Sequence, residues 1–158
     1  MIYIDTNIYY TKYCPVEDSE SVDWIFDQLT PEFSGISNEL IIAELFRAFK
    51  KQVNLGVINE KDAVIAVDFL IADIRERVEL NIVHLIPIKL EDIFNTRSPI
   101  FGENLYAMDS LHAVCAERMK VKAFLTFDSD FKKNWGDIKL LNPTQADFKS
   151  LFLELKNN

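Results

Sequence analysis

Apolar residues in this chain fall into short solid runs separated by longer stretches in which they recur every three or four positions. Ile2–Ile4 is the first run, and it stops at Asp5-Thr6-Asn7, residue types that favour turns and helix caps. The pattern predicts a buried strand followed by a helix start. From about Ser19 to Leu29, Val22, Ile25, Phe26 and Leu29 keep helical spacing, and Pro31 ends that element. Residues 33–37 read as a second strand, and Ser37 or Asn38 is placed to cap an apolar helix running to about Gln52. Asn59 opens a long helix reaching about Glu79, with Val64, Val67, Phe69, Leu70 and Ile74 on its expected buried side. Gly56 lies in the turn between these two helices, so residues 38–79 form a helical hairpin. Residues 82–86, closed by Pro87, give a third strand, residues 90–94 a helical turn or two, and residues 96–104, with Pro99 and Gly102, a loop. Leu105, Met108, Leu111, Cys115 and Met119 mark a further helix. Residues 123–126 and 138–141 read as strands, and Thr144 is placed to cap a last helix carrying Phe148, Leu151, Phe152 and Leu155.

Strands separated mostly by helices predict an α/β fold, a three-layer α/β/α sandwich around a central, mainly parallel sheet. The length of 158 residues is that of one domain, expected over 1–158. Open parallel sheets bind ligands beyond the carboxyl ends of their strands, so chemistry is expected immediately after each strand.

Composition narrows the classes. Apolar residues at 49% and charged residues at 27% are globular values and exclude a disordered chain. Lys plus Arg number 17 against 25 Asp plus Glu, a net charge of −8, which excludes a polybasic nucleic-acid coat or a membrane-surface binder. Carboxylates gathered around a cation can still meet a nucleic acid, because the ion inverts the local field. Cys14 and Cys115 lie far apart with no CxxC pattern and read as two free thiols of a reducing compartment. The opening MIYIDTN lacks the charged and apolar regions of a signal peptide, and the apolar windows 40–49 and 63–74 are interrupted by charges, so no membrane span and a cytoplasmic location are expected.

Acids sit where that topology would put a ligand. Asp5 follows the first strand and Asp128 follows the strand at 123–126, positions that suit either a helix cap or a site. Glu44 lies on an apolar helical stripe among Leu40, Ile41 and Ala48 and needs a partner, Arg47 or an ion. Asp109 opens a helix with small residues Ala113 and Ala116 on its side, and His112 stands three positions on, as a packed or supporting residue; His84 reads as a core residue. The chain has no GxGxxG, no GxxxxGK[ST] and no GxSxG, so dinucleotide, P-loop and serine-hydrolase chemistries lose their usual parts. Acids without a Cys/His set point to a hard cation, Mg²⁺ or Mn²⁺. Arg47, Lys50, Lys51, Lys132 and Lys133 flank the Glu44 and Asp128 segments and are candidate phosphate contacts. If the acids converge, like charges should raise the pKa of at least one of them in the metal-free protein.

The ordered set Ile-Asp5-Thr6-Asn7, Ile36-Ser37 before the helix bearing Glu44, Met108-Asp109-Ser-Leu-His112-Ala and Leu125-Thr126-Phe-Asp128-Ser-Asp130-Phe131 resembles the PIN-domain ribonucleases, most of all the VapC-like toxins of type II toxin–antitoxin systems. The resemblance implies a metal site of Asp5, Glu44, Asp109 and Asp128, with Asp130 as an auxiliary ligand or orienting acid and Thr6, Asn7 and Thr126 in support. It implies an endoribonuclease dependent on Mg²⁺ or Mn²⁺, with Asp109 or Asp130 acting on the attacking water. The hairpin at 38–79 resembles the family's clip, which implies a homodimer or a cognate antitoxin protein there. Two other readings remain at this point: a non-catalytic PIN-like binding module, and another Mg²⁺-dependent phosphoryl-transfer α/β domain. The latter would want an acidic pair or Asp-x-Asp-x-Thr after the first strand, which Asp5-Thr6-Asn7 does not supply.

Overall fold

The structure, a computed structural model, describes residues 1–14, 20–131, 135 and 137–157. Five strands, β1 (Ile2–Ile4), β2 (Gly35–Asn38), β3 (Val83–Ile86), β4 (Ala123–Leu125) and β5 (Lys139–Leu141), form one sheet in the order β3-β2-β1-β4-β5, every pair parallel. The eight helices among the described residues are α1 (Thr6–Tyr13), α2 (Glu20–Gln28), α3 (Ile41–Asn54), α4 (Glu60–Glu79), α5 (Leu90–Asn95), α6 (Arg97–Glu103), α7 (Ala107–Arg118) and α8 (Phe148–Asn157).

Alternation along the strands divides the core into two layers. Ile2, Ile4, Ala123 and Leu125 face one side and pack with Ile8, Phe26, Leu45, Leu70 and Phe152 from α1, α2, α3, α4 and α8. Tyr3, Ile36 and Phe124 face the other and pack with Leu111, Cys115 and Ala116 of α7. The central strands β1 and β4 are covered on both faces and are apolar throughout, which is why they stand out in the sequence as solid runs, whereas β2, β3 and β5 carry polar residues. The chain passes from β1 to β2 on one side of β1 and returns from β3 to β4 on the other, so the carboxyl ends of β1 and β4 meet at the point where strand order reverses. Asp5 and Thr126 leave the sheet there, and the ladder runs on through Asp5 N to Leu125 O and Thr126 N to Leu141 O, both 3.0 Å.

Several local expectations are corrected. Residues 97–103 are helix, not loop. Pro99 is the third residue of α6, where a helix has no acceptor for a backbone amide, and Asn104 adopts φ 58° to end it, so neither punctuating residue breaks the turn. Val64 and Phe69 of α4 are exposed, and Ala63, Leu70 and Ile74 carry the buried stripe. Ser37 does not cap α3: its hydroxyl donates to Ile4 O at 2.6 Å, while Asn38 Oδ1 accepts Leu40 N at 3.0 Å. Thr144 lies in a turn on Asn142, and α8 begins only at Phe148.

A buried ion pair that periodicity does not reveal ties α5 to α7. Asp92 is 1% exposed, accepts Arg118 Nε at 2.8 Å and the Lys89 backbone amide at 2.8 Å, so its charge is fully hydrogen-bonded. Cys14 and Cys115 are free and buried, in different core layers. Among the described residues no helix is long and apolar enough to cross a membrane.

Candidate active site

Asp5 is the N-cap of α1, and its carboxylate accepts three short hydrogen bonds. Oδ1 accepts the Thr6 amide at 2.7 Å; Oδ2 accepts Asn7 Nδ2 at 2.8 Å and Thr126 Oγ1 at 2.6 Å. Asn7 Oδ1 accepts the Phe127 amide at 3.1 Å, and Thr126 Oγ1 accepts the Asp128 amide at 2.9 Å. The Asp5-Thr6-Asn7 and Thr126-Phe127-Asp128 segments are thereby knotted across the switch point, which fixes where Asp128 departs. Burial raises the Asp5 pKa, against the lowering effects of His112, Thr126 and Thr6.

Glu44 enters from the first turn of α3. The Thr6 hydroxyl donates to its Oε2 at 2.5 Å, and His112 Nε2 lies 2.8 Å from the same oxygen. Burial pushes this carboxyl up, yet the His112 hydrogen bond and charge and the Thr6 hydroxyl outweigh it, and the net pKa is lowered. His112 is the partner that Glu44 needs; Arg47 is exposed and acts only at a distance. The imidazole is buried, which disfavours its charged form, but Glu44, Asp5 and Asp109 raise its pKa overall.

Asp109, in the first turn of α7, differs from both. It is half-buried, its carboxylate accepts no hydrogen bond among the described residues, and its pKa is pushed up to about 6, by burial first and then by the charges of Asp5 and Asp128. Like charges therefore do converge. Asp128 is half-buried, and its Oδ1 accepts the Asp130 amide at 2.7 Å.

These four acids, with Thr6 and Asn7, line one open pocket of about 330 Å³. The rest of its described lining comes from α3 and α1: Ala48, Lys51 and Gln52 follow Glu44 at i+4, i+7 and i+8, and Tyr10 follows Thr6 at i+4. Of the basic candidates, Lys51 lines the pocket, Arg47 does not, and Lys50 is turned to Glu60 at 3.1 Å. Lys132 and Lys133 lie outside the described residues. Asp130 is exposed and is not among the described lining residues, so it touches the site through its backbone. Tyr10 and Gln52 are the lining residues that sequence reasoning missed, although their spacing from Thr6 and Glu44 was a legible signal.

The donor set is all oxygen, the chemistry a hard cation takes, and the Asp109 pKa is raised by burial first and then by the charges of Asp5 and Asp128, both of which such an ion would offset. Among the described residues no three His, Cys, Asp or Glu side chains are gathered tightly enough to hold a metal as they stand. Both oxygens of Asp5 and Oε2 of Glu44 are engaged by protein donors.

Solved structures with this fold include VapC20 of Mycobacterium tuberculosis, a sarcin-ricin loop cleaving toxin, with TM-score 0.63 and 10% identity, covering 88% of this chain and 99% of that one. FitAcB from Neisseria gonorrhoeae aligns with TM-score 0.58 and 21% identity over 90% of this chain and 98% of its own. VapBC2 from Rickettsia felis, bound to a DNA fragment from its promoter, gives TM-score 0.56 and 19% identity, with 90% and 98% covered. No curated protein sequence matches at a significant level. The PIN domain profile, however, matches residues 2–134, most of the chain, and with the all-parallel sheet and the acids at its switch point it shows that this protein belongs to the PIN domain family.

Proposed function

We propose that this protein is a divalent-metal-dependent endoribonuclease, the toxin of a toxin–antitoxin pair. The observation that carries the reading is the convergence of Asp5, Glu44, Asp109 and Asp128, from four separate segments, on one pocket at the switch point of a PIN fold, with Asp109 titrating at about 6. These acids would hold Mg²⁺ or Mn²⁺. The ion would supply a Lewis acid for the phosphodiester and a water of lowered pKa. The chain's own residues do the rest. Thr6, Asn7, Thr126 and His112 hold Asp5 and Glu44 in place, Lys51, which lines the same pocket, is placed to meet a substrate phosphate, and Asp109, whose carboxylate has no competing hydrogen bond among the described residues, is free to orient the attacking water. Dependence on one specific ion, and the RNA that is cut, belong to the proposal.

An antitoxin is proposed as the partner of the hairpin formed by α3 and α4. Phe46, Val64, Ile65 and Phe69 are exposed there, around grooves of about 450 and 180 Å³, an apolar surface of the kind that a partner covers. Homodimerisation is proposed as well, and a second exposed apolar ridge offers it a surface: Ile93, Phe94, Phe101 and Tyr106 on and beside α5 and α6. The VapC20 and VapBC2 structures support the toxin reading by likeness of fold.

The test is incubation of purified protein with mixed RNA substrates in Mn²⁺, in Mg²⁺ and in excess EDTA. Cleavage at unpaired positions with either ion and none in EDTA is expected. Full cleavage in EDTA would overturn the mechanism, and Mn²⁺ binding without cleavage would leave a binding module.

A further inference from the structure

Behind Glu44 lies a buried set of side chains that never reaches the pocket. Asn38, the last residue of β2, is fully buried, and its Oδ1 accepts the Leu40 backbone amide at 3.0 Å. A backbone N–H can only donate, so this contact identifies the oxygen end of the Asn38 amide and puts Nδ2, which can only donate, 3.1 Å from His112 Nδ1. The Tyr3 hydroxyl, also fully buried, accepts the Asn38 backbone amide at 3.1 Å and lies 2.8 Å from the same Nδ1. Its own proton has no other acceptor among the described residues, so it too points at His112.

Two donors thus converge on Nδ1, which must accept. The ring proton then sits on Nε2, facing Glu44 Oε2 at 2.8 Å, the oxygen that also takes the Thr6 hydroxyl at 2.5 Å. Oε1 is left without a hydrogen-bond partner among the described residues. We infer that Asn38 and Tyr3 are positioning residues: they fix His112 as an Nε2–H donor, and through it they hold Glu44 with Oε2 occupied and Oε1 free for a cation. An Nδ1–H tautomer or a flipped ring would set a third hydrogen between the two that already face Nδ1, a mismatch that a site buried to this degree cannot pass to water. The consequence for Glu44 rests on the metal-site reading above; the tautomer does not. Sequence spacing gives no hint of the set, because Tyr3, Asn38 and His112 meet only through the β1–β2 pairing and the packing of α7 on that sheet face.

Long-range ¹H–¹⁵N correlation spectra of the labelled full chain at pH 8, without metal, read the tautomer directly, with a His84→Gln variant assigning the two histidines. The expected result is an unprotonated Nδ1 and a protonated Nε2 on His112; a proton on Nδ1 would overturn the inference. Calorimetric titration with Mn²⁺ reads the consequence. Outer-shell partners of metals typically contribute 10- to 100-fold in affinity, so His112→Leu should weaken Mn²⁺ binding by about 10-fold or more. His112→Gln, whose amide nitrogen can occupy the Nε2 position, should stay within about 3-fold of wild type. Equal affinity in His112→Leu and wild type, or equal loss in both variants, would contradict the positioning role. A wild type that binds no Mn²⁺ would overturn the metal reading instead, while the nitrogen spectrum still decides the tautomer.

Discussion

Asp5 and Asp109 face the same pocket from opposite layers of the fold, and they are held in opposite ways. Asp5 ends β1, accepts hydrogen bonds from the Thr6 amide, Asn7 and Thr126, and knits two strand ends together. Asp109 stands in the first turn of α7 with no such partner among the described residues, and its carboxyl titrates at about 6 because burial and the charges of Asp5 and Asp128 disfavour its ionised form. Two residues of one type, both at helix starts, therefore do different work. Asp5 is part of what folds the site, whereas Asp109 stores the repulsion that a cation would discharge. Asp5 also caps α1 through the Thr6 amide, a bond with no counterpart at Asp109 among the described residues.

The largest effect that separates them is on cleavage. Asp109→Asn should lower the Mn²⁺-supported rate by at least ~100-fold, above what outer-shell partners of a metal contribute, while leaving the far-ultraviolet spectrum of wild type. Single-turnover cleavage of an unpaired RNA measures it, and a rate within a few fold of wild type would remove Asp109 from the centre of the site.

Stability should separate the two residues with opposite sign. Asp5→Ala leaves buried donors on Thr6, Asn7 and Thr126 without an acceptor and should cost about 3 kcal/mol in urea denaturation. Asp109→Asn in EDTA at pH 8 should stabilise by about 1 kcal/mol, the charge penalty discounted for the solvent that reaches a half-buried group. Asp109, not Asp5, is the place where removing charge helps. Destabilisation by both variants alike would erase the distinction.

The pH dependence follows from the same shift. Asp109 has a folded pKa of about 6, above its unfolded value, so folding is favoured by its protonation. That contribution is full below about pH 4 and is lost as pH rises through 6. Metal-free protein should therefore gain stability as pH falls from 7 towards 5. Glu44 has the opposite shift, and its contribution is lost only below about 4.5, outside this window. Thermal melts between pH 5 and 7 should show the steepest slope in wild type with EDTA and a shallower one with Mn²⁺ or in Asp109→Asn, where the raised pKa values of Asp5 and His112 still favour folding at the lower pH. A smaller effect probes the Asp5 side alone: Thr126→Val, which keeps shape and removes the hydroxyl between Asp5 and the Asp128 amide, should cost about 1–2 kcal/mol.

The centre of the sheet was legible because β1 and β4, covered on both faces, are apolar throughout, and the long helices because their buried stripes repeat. The helix at 97–103 was not, since Pro99 and Gly102 signal loops unless the amide at Pro99 is known to need no acceptor. Phe69 looked buried because apolar identity does not say which face of α4 meets the core; Leu70 and Ile74 take that place. In the site, residues that follow strands announced themselves. Partnerships did not: Glu44 with His112 spans 68 positions, Thr126 with Asp5 spans 121, and only the topology brings them together. Conversely, Arg47 and Lys50 looked as good as Lys51 until helix phase placed only Lys51 on the pocket wall.

The most direct measurement is calorimetric titration of Mn²⁺ into metal-free wild type and Asp109→Asn at pH 8, where the carboxyl of Asp109 is ionised. Saturable binding in wild type and binding at least ~10-fold weaker in the variant is the result expected if the pocket is a metal site. Equal binding by the two proteins, or no binding by wild type, would contradict it.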